Sequence, residues 1–180
     1  MMNLKNLLFM LKANWIFKTF FFFSILMLLS LSTSLAQPAL PQRSNFVRAI
    51  QPIHFGSFSV TGGGGGTVTV GFDGSRSATG NIFLLDAPPL AQPAIFEIKF
   101  CHNTSVCFNF LTPSILLTGS QGSIPLVVGP TDKGPNGACF TISNNCDIIT
   151  PIRVGGTLTI PGSTSPGIYS GHFTINFIPQ

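Results

Sequence analysis

The stretch Val154–Phe177, VGGTLTIPGSTSPGIYSGHFTINF, decides the fold class of this chain. Apolar residues alternate with polar ones at both of its ends, which is the period of a half-buried β-strand. Proline and glycine between them are typical of a turn. The stretch therefore predicts a strand at Gly156–Ile160, a turn at Pro161–Gly167 and a final strand at Ile168–Phe177. Its expected core face holds Tyr169, Gly171, Phe173, Ile175 and Phe177.

Shorter runs of the same kind occur throughout the chain before this stretch, and no window predicts a long amphipathic helix. Eight to ten short strands with frequent turns predict an all-β fold, an antiparallel Ig-like or pilin-like β-sandwich. Pro52 predicts an edge or a break in the first run. The predicted strands are Phe46–Val60, Thr67–Phe72, Asn81–Leu85, Ala94–Phe100, Val106–Leu111, Ser114–Leu117, Ile124–Val128 and Ala138–Ile142.

The connections between these strands are rich in glycine, proline and aspartate. Asp73-Gly74 predicts a tight turn, and Gly129–Gly137 predicts a loop. Five consecutive glycines, Gly62–Gly66, predict a mobile hairpin connection because glycine weakens a strand interior. The strands on either side of Cys101 and Cys107 are predicted to form a hairpin.

The N-terminal 36 residues have the order of a secretory signal peptide. Basic residues precede an almost wholly apolar run at Thr19–Leu31, and small residues follow up to Ala36. We expect cleavage between Ala36 and Gln37. An uncleaved anchor helix is the alternative, but the apolar run is short for a membrane span. The start of translation stays open among Met1, Met2 and Met10.

Removing the signal peptide changes the charge of the chain. Six Lys and Arg against five Asp and Glu then leave a net charge of +1. A nucleic-acid partner is not predicted because no basic stripe remains. We expect residues 37–45 to form a flexible leader and residues 46–180 a single β-sandwich domain, secreted, periplasmic or at the cell surface, with no membrane contact after cleavage.

Four cysteines, Cys101, Cys107, Cys139 and Cys146, follow the signal peptide. An even number in an exported chain predicts disulfides. Short spacing favours the local pairs Cys101–Cys107 and Cys139–Cys146, while the two other connectivities stay open. A zinc site is disfavoured because neither spacing is C-x-x-C and His102 is the only histidine nearby.

Residues that carry catalysis do not converge in the sequence. His54, His102 and His172 stand alone in strands or turns, where structural or surface positions are the expectation. No G-x-S-x-G motif occurs, and the only glutamate, Glu97, shares a strand face with Lys99. We therefore predict a protein that is not an enzyme, with no catalytic residues, no cofactor and no metal.

Three sequence blocks occur in a characteristic order: IHFGSF at Ile53–Phe58; GTVTV at Gly66–Val70 with Asp73–Arg76 and Thr79-Gly80; and VGGTL at Val154–Leu158 with PGIYSG at Pro166–Gly171. Together they resemble a bacterial domain-of-unknown-function family, number 4402, over about residues 50–178. The resemblance implies a secreted or surface β domain, similar in its closing strands to spore-coat-U-like and fimbrial subunits, and supplies no catalytic residues. The cysteines and the loop at 129–145 depart from the family pattern.

The leading functional hypothesis is a structural or adhesive surface protein, such as a pilus-like subunit, whose partners are itself or other surface subunits. Asn45–Ile53 either donates a strand to a neighbour or, as we favour, forms the first strand of its own sandwich. The alternative is a carbohydrate-binding module. The scarcity of tyrosine and tryptophan disfavours it, since Tyr169 is the only tyrosine and no tryptophan follows the signal peptide.

Overall fold

The computed structural model describes residues 45–101, 103–143, 146 and 148–180, which contain strands and no helix. The all-β prediction is confirmed. Among these residues, no helix is long and apolar enough to span a membrane. The predicted cleavage site and the leader as far as Ser44 lie outside the described residues.

The twelve strands are β1 (Phe46–Gln51), β2 (Ser57–Val60), β3 (Gly66–Val70), β4 (Arg76–Gly80), β5 (Ile82–Leu85), β6 (Ala94–Lys99), β7 (Ser105–Phe110), β8 (Ser114–Gly119), β9 (Gly122–Thr131), β10 (Cys139–Thr141), β11 (Thr150–Ile160) and β12 (Ile175–Pro179).

The longest strand, β11, organises a sheet of seven strands. Its first half, Thr150 to Val154, pairs antiparallel with β6, and its second half, Gly156 to Ile160, pairs with β3. β9 pairs along the opposite edge, since Val154 and Gly156 each face β9 as well as β6 or β3. The sheet continues from β6 to β1, from β3 to β4 and from β9 to β8.

Two glycines allow β11 to change partner along one edge. A β-carbon on Gly155 would lie 2.6 Å from the carbonyl oxygen of Val70, and one on Gly156 would lie 3.0 Å from Leu126 Cδ1. Glycine is the residue that permits so close an approach. Val154 of β11 pairs with Thr131 of β9, and Gly156 pairs with Val128. β9 therefore has one residue more than β11 between these two pairs, which is a bulge at Gly129–Pro130. Proline is tolerated at such a bulge.

Two smaller sheets complete the architecture, one ordered β10-β7-β12 and one made of β2 and β5. An aromatic cluster joins the three-stranded sheet to the large one. Phe108 of β7 is 1% exposed, and its ring lies 6.1 Å from Phe110, 6.4 Å from Phe140 and 6.4 Å from Phe177. Phe96 of β6 lies 6.4 Å from Phe177, across the interior. Burial of each such ring contributes about 1.5–3 kcal/mol.

The disulfides are nested, so the favoured local pairing is wrong. Cys107 pairs with Cys139 and Cys101 with Cys146, with Cα atoms 3.9 and 4.1 Å apart. The cause is the strand pairing: Cys107 on β7 lies directly opposite Cys139 on β10. Backbone bonds continue this ladder past both strands, since the Asn103 amide donates to the Ile142 carbonyl and the Ile142 amide donates to the Thr104 carbonyl.

The predicted hairpin around Cys101 and Cys107 is also wrong. β6 pairs with β1 and β11, whereas β7 pairs with β10 and β12. The connection therefore carries the chain from one sheet to another. Alternation places Phe96, Ile98, Val106 and Phe108 in the core as expected, but alternation does not specify which strands pair.

Strand boundaries differ from the predictions at several places. β11 begins at Thr150 and not at Gly156, and the predicted run Phe46–Val60 is two strands, β1 and β2. The last strand begins at Ile175 and not at Ile168, because the preceding segment runs beside β8, where Ser170 forms a bridge with Thr118. β9 reaches Thr131, so the predicted loop at 129–137 begins later. β4 was not predicted, since its sequence RSATG lacks apolar alternation.

The glycine run is not a hairpin connection. β2 pairs with β5, and β3 pairs with β4 and β11. Gly65 is buried, its carbonyl accepts a bond from the Asn81 amide at 2.8 Å, and a β-carbon on it would lie 2.7 Å from the Gly162 nitrogen. Gly66 already belongs to β3. The end of the glycine run is therefore packed against the backbone at Asn81 and Gly162.

Candidate functional surfaces

The two histidines that the structure describes, His54 and His172, lie on separate parts of the chain. His54 Nδ1 accepts a hydrogen bond from the Gly56 amide at 2.9 Å, and the His54 backbone bridges to Gln92. His172 is exposed, and His102 lies outside the described residues. Within the part of the chain that the structure describes, no three His, Cys, Asp or Glu residues are placed to hold a metal ion.

Glu97 forms an ion pair across strands. Arg48 Nε donates to Glu97 Oε2 at 2.7 Å, and the Arg48 guanidinium also lies 5.3 Å from the Phe46 ring. Nearby on β11, the Arg153 amide donates to Asp132 Oδ1 at 2.9 Å. Charged residues therefore gather around β1, β6 and the first half of β11.

The first two family blocks meet at Arg76. Its Nη2 donates to the Ser57 carbonyl at 2.7 Å and its Nη1 to the Leu85 carbonyl at 3.2 Å, which ties β4 to the two-stranded sheet. Gly56 has φ +72°, and a β-carbon there would lie 2.9 Å from Arg76 Cζ. Burial lowers the pKa of Arg76, although Asp86 opposes the shift. The guanidinium therefore holds β4 to the two-stranded sheet through backbone carbonyls.

The Asp73 turn between β3 and β4 has a simple electrostatic design. Asp73 Oδ1 accepts bonds from Ser75 Oγ at 2.6 Å and from the Ser75 amide at 2.9 Å. These bonds favour the carboxylate and lower the pKa of Asp73. The block that contains Asp73-Gly74 therefore encodes a tight turn.

The PGIYSG block anchors the segment before β12. Tyr169 Oη donates to the Ser165 carbonyl at 2.7 Å, and its ring covers Gly119, where a β-carbon would lie 2.8 Å from the ring. A tyrosine bonded to backbone a few residues upstream also occurs as the corner of many β-sandwiches. Tyr169 therefore packs this segment against the end of β8.

Two further surfaces of the described residues have no structural role among those given above. The first is the open edge, formed by β1. Val47 lies opposite Ile98 and Ala49 opposite Phe96, so both point to the inner side of the sheet. Ile98 is fully buried, yet Val47 is 45% exposed and Ala49 is exposed. At this edge, the inner side of the large sheet is therefore not covered by other described residues.

The second surface, the neutral face, is the outer side of β4, β3, β11, β9 and β8. Cross-strand register aligns two rows of side chains, without a charged residue in either. The first row is Ser77, Thr69, Thr157, Val127 and Ser114. The second row is Thr79, Thr67, Thr159, Pro125 and Leu116.

Sequence reasoning missed the neutral face, although part of its signal was visible. Thr-Val-Thr, Ser-Ala-Thr and Thr-Leu-Thr occur in β3, β4 and β11, and each places two hydroxyls on one side of a strand. Their alignment in rows depends on nonlocal register, which the tripeptides do not contain.

The chain belongs to the family described as Domain of unknown function (DUF4402), which it matches over residues 47–178. No curated protein and no solved structure gives a significant match. The similarity to spore-coat-U-like and fimbrial subunits therefore stays a prediction. The two disulfides are consistent with an extracellular or periplasmic protein.

Proposed function

We propose that this protein is a structural or adhesive module of the cell surface that contacts its own copies or other surface subunits through the open edge. The observation that carries the proposal is the exposure of Val47, 45%, on the side of the sheet that faces the core. An inward-facing aliphatic side chain in a finished sandwich is normally covered. A strand or loop of a second molecule would cover it here.

The neighbouring backbone supports the same proposal. β1 pairs with β6 and has no second partner strand among the described residues. Edge strands expose unpaired amides and carbonyls, which can receive an added strand. The Ala49–Gln51 register shift and Arg48 limit unspecific pairing at this edge, because bulges and charges are the usual protections.

The covalent framework suits this role. Two disulfides link β7 to β10 and the segments beside them, and such crosslinks persist in oxidising compartments outside the cytosol. The described residues provide no convergent acid, base and nucleophile. These features support a durable exported module, as opposed to a secreted enzyme.

The test compares native size and location for three variants of the full chain. We expect the wild type in the surface fraction and, by size exclusion, as an assembly. Val47→Lys should release a monomer, because a charge would be buried at the contact. Ile178→Lys is the matched control, since Ile178 is also 45% exposed but lies on the outer side of β12.

Deletion of residues 37–51 gives a stronger version of the same test. Loss of assembly in both the deletion and Val47→Lys, with Ile178→Lys unchanged, supports the open edge as the contact. A wild type that is monomeric and free in the medium would refute the proposal. Equal behaviour of Val47→Lys and Ile178→Lys would refute the open edge as the site.

A further inference from the structure

The neutral face combines hydroxyls and aliphatic groups in an ordered array. Hydroxyls occupy its β4, β3 and β11 side, and the exposed side chains of Val127, 49%, and Leu116, 60%, occupy its β9 and β8 side. The nearest charged residue on the same side of β11 is Arg153. It is four residue steps from Thr157, a distance of about 13 Å along a strand.

Cross-strand bonds orient the hydroxyls. Thr67 Oγ1 lies 2.7 Å from Thr79 Oγ1, and Thr69 Oγ1 lies 3.0 Å from Thr157 Oγ1. Each pair uses one proton, and each hydroxyl has one proton and two acceptor lone pairs. Every pair therefore keeps a free donor and several free acceptors in a fixed orientation. A ligand with many hydroxyls can replace the water there without leaving a polar group unpaired.

The size of the neutral face argues against a second copy of the chain as its occupant. Five strands at about 4.8 Å spacing and two rows that each cover about 7 Å along the strands give roughly 300 Å². A stable protein interface buries about 800 Å² on each partner. The neutral face is too small for such an interface, but a linear polymer can lie across it and extend beyond it.

The absence of charge limits the chemistry of that polymer. An anionic polymer would be bound through Lys or Arg side chains, and the ten residues of the neutral face include none. A neutral sugar chain presents hydroxyls at its edges and C–H groups on its ring faces, which match the hydroxyl and aliphatic sides. We infer that the neutral face binds an uncharged polysaccharide, laid across the strands from β4 to β8.

This inference rests on the proposed function, since it assigns a target to the adhesive role. The test uses pull-down with insoluble curdlan and cellulose, and affinity electrophoresis with dextran, as neutral probes. Alginate is the anionic probe. We expect the full chain to bind at least one neutral probe, to be insensitive to added salt and not to bind alginate, because uncharged contacts are not screened.

Two charge insertions test the location of binding. Thr159→Lys and Val127→Lys should each weaken binding at least about tenfold, the effect of 1.4 kcal/mol. Thr141→Lys and Ile178→Lys, exposed residues on the three-stranded sheet, are the matched controls and should bind as the wild type does. Circular dichroism and urea unfolding check that all four variants fold.

Three outcomes would overturn the inference: no binding to any of the neutral probes, binding to alginate that salt abolishes, or equal loss in face and control variants. Failure of the proposed function would give a different result, which is a wild type that is absent from the surface fraction. A surface-located assembly that binds no neutral probe would overturn only the polysaccharide inference.

Discussion

Removing the outer disulfide should lower the free energy of unfolding, and the nested pairing determines by how much. In the double variant Cys101→Ser/Cys146→Ser, the inner bridge Cys107–Cys139 remains. The chain between residues 107 and 139 is already closed into a loop by the inner bridge. The outer bridge therefore adds only a smaller ring, which runs through the inner bridge and contains the 6 residue steps from 101 to 107 and the 7 from 139 to 146. A ring of about 13 residues corresponds to about 3 kcal/mol of lost chain entropy in the unfolded state.

Urea unfolding of the oxidised proteins measures this difference. We expect the oxidised variant to unfold at lower urea, with an m-value at least as large as that of the wild type because its unfolded chain is less constrained. The reduced variant should match the reduced wild type within about 0.5 kcal/mol, since both then lack the crosslinks. An oxidised variant as stable as the oxidised wild type would refute the magnitude.

A tryptic digest without reductant tests whether the bridges are local or join distant parts of the chain. Cleavage after Lys99, Lys133 and Arg153 leaves Cys101 and Cys107 in one peptide and Cys139 and Cys146 in the next. Nested bridges hold these two peptides together until a reductant is added. Separate peptides in the unreduced digest, each with an internal loop, would show local pairing and refute the reasoning.

Three further substitutions test the core, a glycine and a turn. Phe108→Ala should destabilise the fold by about 3–5 kcal/mol in urea unfolding, because it empties the centre of the aromatic cluster; the control Phe83→Ala, at a side chain that is 62% exposed, should change stability by less than about 0.5 kcal/mol. Gly56→Ala should cost about 1–2 kcal/mol for its positive φ and more for displacing the guanidinium beside it, whereas Gly74→Ala, also at positive φ but with open space around it, isolates the backbone cost; equal losses would contradict the crowding. The lowered pKa of Asp73 means that its carboxylate stabilises the fold above about pH 3.9, the pKa of the unfolded chain, and that this stability is lost as the pH falls through the folded pKa. Asp73→Ala should therefore weaken the fold at neutral pH and reduce the loss of melting temperature on acidification, and an unchanged acid profile would contradict the role of this turn.

Local patterns predicted strands well because a buried face requires alternation. Thr67–Val70 and Ala94–Lys99 are examples, with Val68, Val70 and Ile98 in the core. The pattern failed where a strand is polar, as in β4, which lies at the edge of the sheet and has no deeply buried residue. Edge strands have one sheet neighbour and less burial, so selection on apolar spacing is weak there.

Pairing could not be predicted because it depends on contacts that are distant in sequence. The cysteine spacing favoured local loops, but the register of β7 on β10 places Cys107 opposite a residue 32 positions away. The neutral face was missed for the same reason, whereas Pro52 predicts an edge or a break in the run that contains β1. The sequence shows which residues share a side of each strand, but it does not show which strands lie side by side.

The position of Gly155 explains why the two proposed surfaces can act independently. Val154-Gly155-Gly156 is the point where β11 leaves β6 for β3. On one side of it lie the open edge and the Arg48–Glu97 ion pair, and on the other lies the neutral face. Added salt should therefore affect contacts near β1 more strongly than polysaccharide binding, because the ten side chains of the neutral face are uncharged and the carboxylate beside them, Asp73, is bound to Ser75 in its own turn. A shared salt dependence of assembly and polysaccharide binding would mean that both use one surface.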